Sequence, residues 1–137
     1  MRTVLGLAAV SFLLAAGLGL ARPADTTATL TGAQEVPPVV TEAKGTATIA
    51  VGADKSVRGS VKTTGLVAMS AHIHLAQAGS VGPPIVGLVK ASDNEWAVPA
   101  GAMLTDEQYA AYKAGKLYVN IHSDAHKPGE IRAQLKP

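Results

Sequence analysis

Cysteine is absent from the 137 residues of the chain, and aromatic residues make up only 4% of them. Without cysteine the chain has no disulfide framework and no thiol nucleophile. The formal net charge is +2, with no cluster of lysine or arginine. The basic surface and stacking platforms of a nucleic-acid-binding protein are therefore missing. Phosphate-loop, dinucleotide-binding and Gly-x-Ser-x-Gly motifs are also missing, and no catalytic residue is predicted.

Residues 1–21 have the composition of a secretory signal peptide. One positive charge precedes the uncharged apolar run Val4–Leu20, and Gly19 and Ala21 are the small residues that signal peptidase reads. The alternative is a transmembrane anchor, but about 17 apolar residues are the short limit for a spanning helix. We expect cleavage after Ala21, and hence a secreted or periplasmic protein that has no membrane contact afterwards. Residues 22–137 then form one domain.

The rest of the sequence is typical of short β-strands separated by glycine- and proline-containing turns. Several segments alternate apolar and polar residues or are rich in β-branched residues, which indicates strands. The predicted strands are 27–30, 45–51, 56–62, 70–75, 85–89, 95–98, 117–122 and 130–135. This pattern predicts an all-β fold, an antiparallel Greek-key sandwich or barrel that is immunoglobulin-like or superoxide-dismutase-like.

One short helix is predicted among these strands, from Thr105 to Ala114. Thr105 and Gln108 have the spacing of a reciprocal capping box, in which each side chain binds the backbone of the other residue. Gly115 is placed to end the helix in the left-handed conformation. The helix therefore leads the chain into the strand that begins at Leu117.

The four histidines of the chain form two close pairs, His72 with His74 and His122 with His126. Residues two apart on a strand face the same side, so His72 and His74 share a face. The apolar residues that alternate with His122 are Leu117, Val119 and Ile121. Because that apolar side faces the core, His122 lies on the outer side. If the two strands are neighbours, three histidines converge, with His126 in the following turn as a fourth.

Three or four imidazoles suit copper(II) or zinc, and copper binds more tightly in the usual affinity order. We therefore predict a metal site at His72, His74, His122 and His126, with copper or zinc as its possible cofactor. The alternative is that these histidines are polar, solvent-facing positions on a sheet. The His-x-His spacing is also similar to that of copper–zinc superoxide dismutase, so a small metal-dependent redox enzyme is a third hypothesis.

Two further features are predicted to be structural. Glu35 and Arg132 lie near opposite ends of the domain, and an ion pair between them would tie its first segment to its last strand. The segment 79–84 has no lysine and so is not a phosphate loop. We expect it to lie as a lid near the first histidine strand.

Four blocks of the sequence, in order, resemble the motifs of the CHRD domain family, first described in chordin. They are Leu30–Val39; Ala71–His74 with Gly79 and Gly82; Leu104–Thr105 with Gly115–Ser123; and Pro128–Leu135. The resemblance spans nearly the whole domain and implies an extracellular or periplasmic all-β protein. It implies no known reaction.

The favoured functional hypothesis is an exported binding or interaction module without catalytic activity, whose partner is a protein or a surface polymer. A copper- or zinc-binding protein that uses the histidine cluster is the alternative. Metal content after purification without a histidine tag would separate these two hypotheses.

Overall fold

The computed structural model of the protein describes residues 26–137, so the predicted signal peptide lies outside the described residues. Nine strands and one α-helix follow one another in this part of the chain. They are β1 (Thr26–Leu30), β2 (Lys44–Val51), β3 (Val57–Thr64), β4 (Ala68–Leu75), β5 (Pro84–Gly87), β6 (Val89–Ser92), β7 (Glu95–Ala97), α1 (Asp106–Lys113), β8 (Leu117–Ser123) and β9 (Ile131–Gln134). A three-residue 3-10 helix, Gly32–Gln34, follows β1.

The strands form two antiparallel sheets, which confirms the predicted all-β sandwich. The first sheet has the order β1-β2-β3-β7-β6, and the second has the order β5-β4-β8-β9. Aliphatic side chains from the facing sides of both sheets form the core. The completely buried members include Leu30, Ala47, Val61, Val119, Ile121 and Ile131. The alternation of apolar and polar residues along each strand places these side chains on one side of the sheet.

The predicted strand 85–89 is in fact two strands that belong to different sheets. β5 pairs with β4 in the second sheet, whereas β6 pairs with β7 in the first. Leu88 stands between them, with its side chain buried and its backbone N–H donating to the Ala71 carbonyl at 2.9 Å. The prediction of one continuous strand was wrong. An extended segment that passes from one sheet to the other has the same sequence pattern as a single strand.

The two sheets are also joined by backbone hydrogen bonds at one edge. Thr31, just after β1, donates to the Arg132 carbonyl in β9 at 3.1 Å, and Arg132 donates to the Thr31 carbonyl at 3.1 Å. This pair is an isolated antiparallel bridge. We call the line along which β1 and β9 face one another the β1/β9 seam.

The predicted helix is confirmed together with its cap. The Gln108 backbone N–H donates to the Thr105 hydroxyl at 3.1 Å, and the Thr105 backbone N–H donates to the Gln108 side-chain oxygen at 2.9 Å. Gly115 follows the helix with φ = 72°, the left-handed conformation expected there. Within residues 26–137, no helix combines the length and the apolar character that crossing a membrane requires.

Candidate metal centre

The two histidine strands are neighbours in the second sheet. β4 pairs antiparallel with β8, and the register places His72 opposite Asn120 and His74 opposite Tyr118. The residues that alternate with the histidines are buried in the core: Ala71, Ile73, Val119 and Ile121. His72, His74 and His122 therefore project together from the outer face of the sheet, as the spacing predicted.

The three imidazoles form one compact cluster. Their ring centroids are 5.5 Å apart for His72 and His74, 5.0 Å for His72 and His122, and 5.6 Å for His74 and His122. One potential ligand nitrogen from each ring lies within 4.8 Å of the other two. This arrangement brings together three of the four histidines that the sequence singled out.

Hydrogen bonds fix the tautomers of two of the rings. Nδ1 of His74 is 2.9 Å from the Gly82 carbonyl, and Nδ1 of His122 is 2.8 Å from the Lys127 carbonyl. Because a carbonyl oxygen only accepts, each Nδ1 is the protonated donor, and the lone pair of each neutral ring lies on Nε2. Orientation by a backbone carbonyl is the usual arrangement around a metal-binding imidazole.

The remaining nitrogens of the cluster lack partners. Nε2 of His74, Nε2 of His122 and Nδ1 of His72 are all buried without a hydrogen bond among the described residues. Buried polar atoms are nearly always satisfied in folded proteins, so an unsatisfied atom calls for an explanation. Three such nitrogens in one cluster supply the lone pairs that a metal ion accepts.

Electrostatics favours the form of these rings that binds metal. Burial lowers the pKa of His72 below its usual value, and the neighbouring His122 lowers it further. Burial also lowers the pKa of His74, although the hydrogen bond to Gly82 acts in the opposite direction. Both rings are therefore neutral at pH 7, and only a neutral imidazole can coordinate a metal ion.

His126 lies apart from the three-histidine cluster. It belongs to the turn after β8, where its backbone N–H donates to the Ser123 hydroxyl at 3.1 Å. The residue lines a different cavity, together with Val36–Val40 and Pro128. The group of side chains positioned to hold a metal does not include it. Its role as a fourth ligand stays a prediction.

Tyr118 supports the cluster, a role that the sequence analysis did not assign to it. Its ring stacks on His74 with 4.9 Å between centroids and 15° between planes. Its hydroxyl accepts a hydrogen bond from the Gly82 N–H at 3.1 Å and donates to the Gly82 carbonyl at 3.3 Å. Tyr118 and His74 thus both bind the carbonyl of Gly82. The alternation of residues along this strand could have indicated this role, because it places Tyr118 on the same face as His122.

The segment 76–83, which we call the Gly82 loop, lies against His74, Tyr118 and Arg132 on this side of the sheet. Arg132 in β9 donates to the Ser80 carbonyl at 2.6 Å and to the Gln77 carbonyl at 3.2 Å. Its guanidinium lies 3.5 Å from the Tyr118 ring centroid. Residues 79–83 of the predicted segment therefore lie beside the histidine strand, whereas Pro84 already begins β5, and a role as a lid stays a prediction.

The predicted ion pair between Glu35 and Arg132 is wrong. The charged atoms of Glu35 and Arg132 are not within 4 Å of one another, unlike those of the ion pairs Lys55–Asp106 and Lys90–Asp93. The Arg132 guanidinium bonds instead to oxygens of the Gly82 loop and of Gln134. Glu35 is only 7% exposed, and its Oε1 has no partner. Burial raises its pKa to about 7, although Arg132 lowers it.

Fold and site together define a small all-β sandwich domain with a histidine cluster on the outer face of one sheet. The family model described as the CHRD domain matches residues 26–135, which is more than half of the chain. The protein therefore belongs to the CHRD domain family, as its motifs indicated. No curated protein and no solved structure matches the chain.

Proposed function

We propose that this protein is an exported metal-binding module that holds one copper(II) ion, and zinc more weakly, through His72, His74 and His122. The observation that carries the proposal is the cluster of three imidazoles, each of which has one potential ligand nitrogen within 4.8 Å of the others and one buried nitrogen without a partner. Removal of residues 1–21 and delivery outside the cytoplasm are part of the same proposal.

The donor set supports copper or zinc over other metals. All three donors are imidazoles, which suit both ions, whereas magnesium and calcium prefer carboxylate and carbonyl oxygens. Copper(II) binds more tightly than zinc to a given set of nitrogen ligands. The ligand nitrogens lie within 4.8 Å of one another, whereas two nitrogens bound to one tetrahedral zinc ion are about 3.3 Å apart. The rings would therefore move closer when an ion binds, and three imidazoles leave a coordination position open on a four-coordinate ion.

Titration calorimetry with copper(II) in a weakly chelating buffer tests the proposal. The purified protein should bind about one ion per chain, and a parallel titration with zinc should give weaker binding. Electron paramagnetic resonance of the copper-loaded protein should show coordination by nitrogen. This second readout separates binding at the cluster from adsorption to surface carboxylates.

Single substitutions identify the ligands. His74→Ala and His122→Ala should each weaken copper binding sharply, because each removes one of three donors. The double variant should lose less affinity than the sum of the two separate losses, since ligands of one ion are not independent. His126→Ala is the matched control because it removes an imidazole that lies outside the cluster. A large effect of this variant would instead make His126 the fourth ligand.

Two outcomes would contradict the proposal: absence of copper binding, or binding that His122→Ala leaves unchanged. The histidines would then be surface features of the sheet. The interaction-module hypothesis would stand as the better account of the family fold.

A further inference from the structure

Arg132 carries a buried positive charge that no ion pair within residues 26–137 neutralises. The residue is 2% exposed, and its guanidinium forms no salt bridge with a described carboxylate. A guanidinium has five N–H groups. Three of them donate, to the carbonyls of Ser80 and Gln77 and to the side-chain oxygen of Gln134. Two N–H groups of a buried cation are therefore left without an acceptor in the described part of the chain, although buried charges are normally paired.

Arg132 lines a cavity of about 380 Å³ between the Gly82 loop and the segment 33–38. Cavities that bind small molecules commonly measure about 300–1,000 Å³ and combine apolar walls with a few convergent polar groups. The polar side chains of this cavity are those of Gln34, Glu35, Arg132 and Gln134. Its apolar side chains are those of Ala33, Val36, Pro38 and Ala78. The cavity thus has the size and composition of a small-molecule site, with a cation in its wall.

Glu35 lines the same cavity but does not neutralise Arg132 in acidic or neutral solution. Burial raises the pKa of the Glu35 carboxyl to about 7, although the neighbouring Arg132 lowers it. Below that pH the carboxyl is mostly neutral, so the cavity keeps the positive charge of the guanidinium. His126 is the other ionisable group that faces Glu35 among the described residues of its two cavities. An anion from solution can therefore supply the charge that Glu35 withholds.

We propose that this cavity binds a small organic monocarboxylate, with its carboxylate against Arg132 and its aliphatic body against the apolar wall. Guanidinium N–H groups form strong, charge-assisted hydrogen bonds with carboxylate oxygens. The single positive charge of the cavity balances a monoanion, whereas a phosphate dianion would leave a negative charge in an apolar surrounding. The aliphatic wall favours a ligand that has an apolar body. No histidine lines this cavity, so the inference is independent of the histidine cluster.

Butyrate is the probe, and a heteronuclear NMR titration of the metal-free protein at pH 6 is the measurement. The backbone amide signals of Gly79 and Gln134 should shift until they saturate, whereas the signal of Lys90, in the other sheet, should not move. Butyramide has nearly the same shape as butyrate but no charge, so the same concentration should cause no shift. Equal shifts with butyrate and butyramide, or with butyrate and inorganic phosphate, would overturn the assignment of a carboxylate.

The pH dependence of butyrate binding tests the part played by Glu35. An ionised Glu35 cancels the charge that attracts the ligand, and its neutral fraction falls about tenfold between pH 6 and pH 8 for a pKa of about 7. The affinity of the wild type should therefore fall by about tenfold over this range. Glu35→Gln cannot ionise and should keep a nearly constant affinity, whereas His126→Ala should behave like the wild type. A pH dependence that persists in Glu35→Gln, or that disappears in His126→Ala, would contradict the proposal.

Arg132→Gln removes the positive charge and should weaken butyrate binding by at least about thirtyfold. If this variant does not fold, the comparison of Glu35→Gln with the wild type still decides, because it leaves Arg132 in place. His122→Ala should bind butyrate like the wild type even though it should lose copper. The two proposals can therefore fail separately. Absence of saturable butyrate binding to the wild type at pH 6, or undiminished binding to a folded Arg132→Gln variant, would overturn the inference.

Discussion

Arg132 is a buried cation whose hydrogen-bond partners are neutral groups. It is 2% exposed, donates to carbonyls of the Gly82 loop and lies over the Tyr118 ring. Hydrogen bonds to charged groups contribute about 1.5–3 kcal/mol each. Truncation of Arg132 also leaves the acceptors of the loop unsatisfied. The side chain thus joins β9, β8 and the loop in a single contact network.

We expect Arg132→Ala to lower the free energy of unfolding by at least about 3 kcal/mol. Lys55→Ala is the control, because its partner Asp106 is 92% exposed and ion pairs open to solvent contribute about 0–1 kcal/mol. Urea unfolding of both variants and the wild type measures the difference. Equal midpoints for the two variants would contradict this account of Arg132.

Glu35 should make the stability of the metal-free protein depend on pH. Its folded-state pKa is about 7, above the ordinary value of 4.5. Between these values the unfolded chain releases the proton that the folded chain keeps. The free energy of unfolding therefore falls as pH rises from about 4.5 to 7, by at most about 1.4 kcal/mol per pH unit, and levels off above.

Glu35→Gln should remove this component, because glutamine cannot ionise. His72 and His74 have the opposite sign: their lowered pKa values cost stability as pH falls below about 6.5. The free energy of unfolding of Glu35→Gln is subtracted from that of the wild type at each pH. The difference is the contribution of the Glu35 carboxyl to the pH dependence of stability. A Glu35→Gln profile that runs parallel to that of the wild type would mean that the Glu35 carboxyl is not linked to folding.

Tyr118 tests how a residue that contacts no metal affects the site. Tyr118→Phe keeps the ring that stacks on His74 but removes the hydroxyl that holds Gly82. Loss of a supporting partner of this kind weakens metal binding by about 10- to 100-fold. Copper titration calorimetry should show the weaker affinity with one site per chain retained. Unchanged affinity would mean that Gly82 holds His74 without help.

The sequence predicted the positions of some residues of the site but not the roles of others. The pairing and alternation of the histidines predicted that His72, His74 and His122 lie on the outer face, because strand geometry determines which way they point. That they meet depended on the further condition that the two strands are neighbours, which the β4–β8 pairing fulfils. The sequence pattern could not predict the roles of Gly82 and Lys127, because these residues act through backbone carbonyls that have no residue-type signature. Glu35 was assigned the wrong partner, since complementary charge does not determine distance.

At the scale of elements, the Gly82 loop fits closely against the end of β4. A Cβ atom at Gly82 would lie 1.8 Å from the Leu75 carbonyl oxygen, so any larger residue must displace the loop. Displacement would separate the Gly82 carbonyl from Nδ1 of His74. Loop position and ring orientation are therefore coupled.

Gly82→Ala should weaken copper binding much more than Gly87→Ala does. Gly87 pairs with His72 across β5 and β4, but a Cβ there meets nothing within 4 Å. Calorimetric titration measures both affinities, and circular dichroism should show that the sheets remain. Equal affinities would indicate that the loop adjusts without disturbing His74.

Most elements were predictable from local pattern. The cap at Thr105 and the left-handed Gly115 mark the helix by backbone chemistry that needs no partner, and both were correct. The passage of the chain between sheets at Leu88 was not predictable. The passage depends on which neighbouring strand β5 and β6 each pair with. Those pairings are determined by contacts between residues that are distant in sequence.

At the scale of the whole molecule, metal binding should stabilise the fold. A ligand that binds only the folded state at 100 times its dissociation constant contributes about 2.7 kcal/mol. For a domain of this size the thermal midpoint should rise by roughly 8–15 °C. Scanning calorimetry with copper(II) should show this increase in the wild type and lose most of it in His74→Ala. An equal increase of the thermal midpoint in the wild type and in His74→Ala would mean that the ion binds outside the histidine cluster.

The β1/β9 seam also determines how the domain responds to mechanical force. Because Thr31 and Arg132 form an antiparallel bridge, the start of β1 and the end of β9 emerge at the same pole. Tension applied through the two ends of the chain pulls these strands apart sideways, so their hydrogen bonds to β2 and β8 break in succession and do not share the load. A tethered domain of this design should unzip at low force, whereas the same sandwich loaded along its strands would resist.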